Sequence, residues 1–181
     1  SKANVEGDSY VLISGGSVKD VVGGGLADGK GTSALVTGNS FVTIAGGKIS
    51  GTIYAGGLSK NDGTANVGGT ATVTFLADIG FEGTVDGSNA KSSVLAFGDG
   101  STVFNANFSG TFKNFDEVKA AQGSRVSFKE IGNDQFKATG DNKDKLKLTG
   151  KGTVETEKFS LSTGQTLEIL SGSFIASSAE L

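Results

Sequence analysis

Few residues in this chain could carry chemistry. Of its 181 residues none is Cys and none is His, and Arg125 is the single arginine. Lack of Cys removes thiol nucleophiles, disulfides and iron–sulfur clusters, and lack of His removes the commonest general base and metal ligand. Carboxylates, lysines and hydroxyls remain. The stretch Gly98-Asp99-Gly100-Ser101 invites comparison with a serine-protease nucleophile motif, but Thr102 follows Ser101 where a glycine is required, and no His can serve as base. A turn between strands is the expected reading.

The carboxylates are weighed in the same way. Asp78, Glu82 and Asp86 are candidates for the paired acids of glycoside hydrolysis. Their spacing of four would put all three on one side of a strand, the pattern of a solvated acidic face. Parallel β-helical polysaccharide lyases pair bound calcium with a basic residue, yet Arg125 has no acidic cluster near it in sequence. The loops Gly23–Gly31 and Gly56–Gly63 lack the tandem GGxGxD spacing of calcium-binding nonapeptides, so Asp28 and Asp62 are read as solvated turn residues. Gly23-Gly24-Gly25 is followed by no helix that could complete a phosphate cradle. The expectation is no catalytic, cofactor-binding or metal-binding residue, and no enzyme activity. A net charge of −3 and a pI near 5.0 leave no basic patch for nucleic acid, and no apolar run is long enough to insert in a membrane as a helix.

The elements that would position such residues are strands. The chain has 30 Gly and no Pro, and it is rich in Val, Ile, Thr and Phe, the residues of turns and pleated surfaces. Self-comparison finds a repeat. SYVLISGGSV from Ser9 aligns with SFVTIAGGKI from Ser40 at a spacing of 31, matching Tyr10 with Phe41, Val11 with Val42 and Ile13 with Ile44. The spacing continues to Val73 and Phe75, drifts to 30 or 32 near Ile79 and Gly83, and reaches a weaker copy at Ser101. Each unit reads as strand, Gly-pair corner, strand and polar loop, with Gly15-Gly16 and Gly46-Gly47 at the corners. Tandem units too small to bury their own faces are the signature of a solenoid. Stacks of Ile13, Ile44 and Phe75, and of Val11, Val42 and Val73, are expected inside.

Texture then changes. Of the 30 glycines, 23 precede residue 113, while charges concentrate and balance after it. Period-2 alternation persists at Leu146 and Leu148, Phe159 and Leu161, and Leu167 and Ile169. NFDEVKAAQG from Asn114 to Gly123 admits a short helix, or strand and turn; its β flanks favour the latter. The whole of 1–181 is expected to be one β-solenoid segment, with Gly-rich repeats over 9–105 and diverged, more charged rungs over 106–181. Starting without Met and ending just after a strand-like run, it reads as part of something longer.

GGKISGTIYAGG at Gly46–Gly57, GGTATVTF at Gly68–Phe75 and FSGTFKNFDEVKAAQGSRVSF at Phe108–Phe128 resemble the Gly-rich repeats and diverged rungs of bacterial autotransporter adhesin passengers. The resemblance implies an all-β, right-handed parallel β-helix with repeats of about 31 residues, a non-enzymatic structural or adhesive role, and display at the bacterial cell surface or secretion by the outer-membrane route. Implied partners are a host surface protein or glycan, or self-association, with contacts from loops at Lys30, Lys60 and Asn61. The alternatives are a self-assembling extracellular filament subunit, a polysaccharide-active β-helix enzyme, or an ice-binding solenoid. The last rests on Thr43, Thr72 and Thr74, a row interrupted by Leu12.

Overall fold

Alternation of β-branched or aromatic residues with small polar ones, punctuated by glycine, gives an almost wholly β chain. A computed structural model describes residues 1–181, with a single three-residue 3-10 turn, Asn133–Gln135, among nineteen strands. Every strand pairing is parallel. Parallel neighbours cannot be joined by a hairpin, so the chain makes a long crossover at each step.

Four distinct sheets result. The widest has nine strands: Lys2–Val5, Ser9–Val18, Ser33–Val36, Ser40–Ile49, Thr64–Phe75, Ala90–Phe97, Glu117–Ala120, Lys145–Thr149 and Thr166–Ile169. A second sheet runs Thr111–Lys113, Thr84–Asp86, Thr52–Tyr54, Val21–Val22. A third runs Asn105–Asn107, Arg125–Ile131, Thr153–Ser160, Ser173–Glu180, and Leu26–Asp28 pairs with Leu58–Lys60 in the smallest. Asn114–Gly123 forms no helix; Glu117–Ala120 within it is a strand of the widest sheet.

Over residues 9–75 the positions aligned by the 31-residue comparison are paired: Val11 with Val42 and Val42 with Val73, Ile13 with Ile44 and Ile44 with Phe75. Beyond Phe75 the step changes. Val73 pairs with Leu95, Leu95 with Val118, Val118 with Leu148 and Leu148 with Ile169, so that the 31-residue step gives way to steps of 22, 23, 30 and 21 residues. Strands range from two to twelve residues. The expected regular β-helix of uniform 31-residue repeats is therefore corrected: this is an all-β domain of four distinct parallel sheets with irregular strands, not a simple repeating β-solenoid. The resemblance to autotransporter passengers rested on that repeat and falls with it. The physical reason is that ladder hydrogen bonds fix the register of paired strands but leave the length of the crossover free.

The Gly pairs are corrected too. Ser9–Val18 and Ser40–Ile49 run continuously through Gly15-Gly16 and Gly46-Gly47, where the register between them shifts. Gly16 and Gly47 take left-handed φ of 75° and 86°, the geometry of a bulge, not a corner. A Cβ on Gly47 would lie 2.9 Å from the Gly15 carbonyl oxygen.

The main core is a cluster of 27 buried residues along the inner face of the sheets, beside a small one of Ala27, Ala34 and Ala65. Val42, Ile44, Val73, Leu95, Phe97, Val118 and Leu148 are buried in the main cluster. Where the step first shortens, Phe75, Phe81, Phe97, Phe104, Phe108 and Phe128 pack together, with centroids of contacting rings 5.0–5.8 Å apart in mostly tilted and edge-on contacts. A buried aromatic core of this kind, in an interior that also encloses an ion pair, belongs to a compact domain and overturns the expected extended, repetitive adhesive rod. The filament, β-helix enzyme and ice-binding alternatives were built on the same repeat and are withdrawn with it.

One ion pair lies within the packed interior. Lys137 Nζ is 2.9 Å from Asp116 Oδ2, with both side chains less than a tenth exposed. The same carboxylate oxygen accepts from the Ser93 amide at 2.7 Å, and Lys137 also donates to the Ala90 carbonyl at 3.0 Å. Asp116 Oδ1 has no partner, so the carboxylate depends on what Oδ2 receives.

Two stability predictions follow from this packing. Ile44→Asp, which puts a charge between Ile13 and Phe75, should cost several kcal/mol, on the order of a domain's whole stability margin. Leu12→Asp on the outer face should change it by no more than about 0.5 kcal/mol in chemical denaturation. Lys137→Met should cost about 3–5 kcal/mol by stranding the Asp116 carboxylate. Lys113→Met, which loses a half-exposed pairing to Asp86, should cost about 1 kcal/mol or less. Adding Asp116→Asn to Lys137→Met should recover part of the loss.

Candidate carbohydrate-binding face

On the nine-stranded sheet, alternation turns Val11, Ile13, Val42, Ile44, Val73 and Phe75 inward. Tyr10, Leu12, Phe41, Thr43, Thr72 and Thr74 are thereby turned outward. Register then builds two outer rows across the strands, one of Tyr10, Phe41 and Thr72 and the other of Leu12, Thr43 and Thr74. The Tyr10 and Phe41 rings stack at 5.1 Å between centroids and 15° between planes. Tyr10 is 74% exposed and Leu12 65%, so the ring pair is an open shelf. The Tyr10 hydroxyl donates to Asp8 Oδ2 at 3.3 Å. Partial desolvation, and then the Asp8 carboxylate, raise the phenol pKa above its ordinary value, keeping it a neutral donor. The stacked rings cover one face of each other and leave the far face of Tyr10 open, so this ring can stack on the C–H face of a pyranose while the threonine hydroxyls of the same sheet face meet its rim.

The threonines flagged in the sequence thus lie on this face; the other flagged residues lie elsewhere. Asp99 and Ser101 form an exposed turn in which Asp99 Oδ1 accepts from the Thr102 amide at 2.6 Å, the Ser101 hydroxyl at 2.8 Å and the Ser101 amide at 2.9 Å. The Thr102 amide, and then Ser101, hold that carboxyl below its usual pKa. The bonds consume the serine hydroxyl in shaping a loop. Asp28 accepts from the Asn61 side chain at 2.8 Å, and Asn61 and Asp62 both occupy left-handed φ. Nowhere do three or more His, Cys, Asp or Glu side chains gather as a metal cage.

Asp78, Glu82 and Asp86 do not share a strand face. Asp78 and Glu82 sit in the crossover after Phe75, whereas Asp86 ends the Thr84–Asp86 strand and is buried. Asp86 is engaged by Lys113 at 3.3 Å, by the Ser88 amide at 2.9 Å and by Asn114 at 3.2 Å. Arg125 does have an acidic partner, remote in sequence: Glu155 lies 2.5 Å away on the neighbouring strand and also accepts from Ser127 at 2.8 Å. Arg125 first, and then Ser127, hold the Glu155 carboxyl below its usual range. A surface groove of about 420 Å³ runs past Thr84, Thr111, Lys113, Glu130 and Gln135.

Sequence reasoning matched Tyr10 with Phe41 but drew no site from them. The signal was present: both alternate with Val11, Ile13, Val42 and Ile44, so a buried aliphatic row obliges an exposed aromatic one. Comparisons with protein-family models, with curated proteins and with solved structures found no match.

Proposed function

We propose that this chain is a carbohydrate-binding domain that holds a glycan on the outer face of its nine-stranded sheet without turning it over, at a cell surface or after secretion. The observation that carries this reading is the stacked Tyr10–Phe41 pair, three-quarters exposed at Tyr10 and bordered by Thr43, Thr72 and Thr74. An aromatic ring kept in water costs hydrophobic free energy that a core position would recover. A sugar recovers it by covering the ring with C–H groups while its hydroxyls meet the threonines. A folded protein partner is a poorer fit, because stable protein interfaces bury about 800 Å² on each side around an apolar centre, and the apolar part of this face is confined to Tyr10, Leu12 and Phe41.

The test is a panel of immobilised neutral and acidic glycans probed with the intact chain. Tyr10→Ala and Phe41→Ala should each weaken retention of the bound glycan about tenfold, equivalent to about 1.4 kcal/mol, while leaving the melting temperature within a few degrees of the parent. Equal retention by parent and both variants would remove the shelf from the function. Release of reducing or unsaturated sugar ends during incubation would show turnover and overturn the non-catalytic part.

A further inference from the structure

The other half of the same sheet carries a different surface. Outward positions on Lys2–Val5, Ser33–Val36 and Thr64–Val67 pair Asn4 with Leu35 and Leu35 with Asn66. Two hollows meet at Asn66. One, of about 300 Å³, is lined by Lys2, Asn4, Ser33, Leu35 and Thr64; the other, of about 240 Å³, by Ser88, Asn89, Asn114, Lys137 and Thr139. Together they form a channel across successive strands, which lie about 4.8 Å apart, with an asparagine on most of its steps.

Asn89 and Asn114 adopt left-handed φ of 56° and 59°, and the tolerance of Asn for that conformation accounts for their presence. It does not account for Asn4 and Asn66. Both lie inside strands, where Asn is disfavoured, both are exposed, and neither carboxamide is hydrogen-bonded within the chain, unlike that of Asn89, which donates to the Gly57 carbonyl at 2.9 Å. A free carboxamide presents two donors and an acceptor. The floor is electrically quiet, because the Lys137 ammonium is neutralised by Asp116 and also satisfied by the Ala90 carbonyl. No carboxylate lines either hollow, and the only other cation is Lys2 at one end.

We infer that this asparagine-lined channel is a second binding site, taking an extended, uncharged oligosaccharide. Hydroxyls both donate and accept, as carboxamides do, so each sugar residue can meet an asparagine from either side. An extended peptide is less well matched, since the apolar lining is confined to Ala34, Leu35, Ala90 and Ala138 and offers no deep pocket for side chains. The inference stands apart from the aromatic shelf: Asn66 and Thr72 are six residues apart on one strand, about 20 Å along it.

The test follows side-chain amide resonances of the intact chain during titration with neutral disaccharides and hexasaccharides of glucose, mannose and xylose, with a hexagalacturonate and an unstructured hexapeptide as controls. At least one neutral hexasaccharide should shift the Asn4 and Asn66 amides and bind about tenfold more tightly than its disaccharide, because only the longer chain fills both hollows. Asn66→Leu should weaken it at least fivefold with melting unchanged, and Tyr10→Ala should leave it unaffected. Silence of both amides towards every neutral hexasaccharide at millimolar concentration would overturn the inference, as would a response confined to hexagalacturonate or peptide. Loss of the response in Tyr10→Ala would overturn the separateness of the two sites.

Discussion

Parallel pairing is the constraint on which the rest of this structure depends. In a parallel ladder each residue lies beside its partner with its side chain on the same face, so like positions pile into columns. Val11, Val42, Val73, Leu95, Val118, Leu148 and Ile169 are one such column through the widest sheet. The column has to stay apolar where it is enclosed, because a polar group there would meet only side chains above and below. Nothing in the ladder specifies how the chain travels between two members of the column. The crossover can shorten or lengthen provided that it delivers the next strand in register.

The aromatic core follows from that freedom. At the first short step, from Val73 to Leu95, the crossover contributes Phe81, and the connection leading to the next step contributes Phe104 and Phe108. These rings pack against Phe75 and Phe97 from the ladder. A large flat side chain suits a place where sheets of unequal strand length leave an irregular interior, since tilted and edge-on contacts fill space without demanding a repeating backbone. The polar pair Asp116–Lys137 is held instead at the start of the Ala90–Phe97 strand, by the Ser93 amide and the Ala90 carbonyl. Its lysine reaches back 21 residues to Asp116 and 47 to Ala90, tying two crossovers to the start of the Ala90–Phe97 strand at one ammonium.

The all-β class was legible in the sequence from its alternation, and so was the pairing of residues 9–75, because Val11, Ile13 and their partners recur with the same glycines at one spacing. The later steps were not legible by that route. Ala90–Phe97 and Glu117–Ala120 carry no Gly pair to align, and steps of 22, 23, 30 and 21 residues give self-comparison no single offset to find. The burial of Asp86 was hidden for a related reason: its partners Lys113 and Asn114 come from the next step of the second sheet, whose offset differs from that of the first repeats. Arg125 and Glu155 were invisible as a pair because their strands meet only after the third sheet has formed. The outward aromatic row could have been read from the inward aliphatic one. The free carboxamides could not, since nothing in a strand sequence says which hydrogen bonds a side chain fails to make.

The two halves of the nine-stranded sheet are joined by a crease that determines how they relate. Asp8 Oδ1 accepts from the Asn39 amide at 2.7 Å, and Asn39 Oδ1 accepts in turn from the Thr70 amide at 2.9 Å. Beside this ladder a Cβ on Gly38 would lie 2.6 Å from the Gly7 carbonyl oxygen, and one on Gly69 2.7 Å from that of Gly38. Glycine is needed there because the backbones approach too closely for any side chain. A crease so closely packed and stapled by side chain to backbone has no slack for hinging, so the aromatic shelf and the asparagine channel keep a fixed spacing. Binding at one can then reach the other only through a ligand long enough to touch both, and not through movement of the sheet.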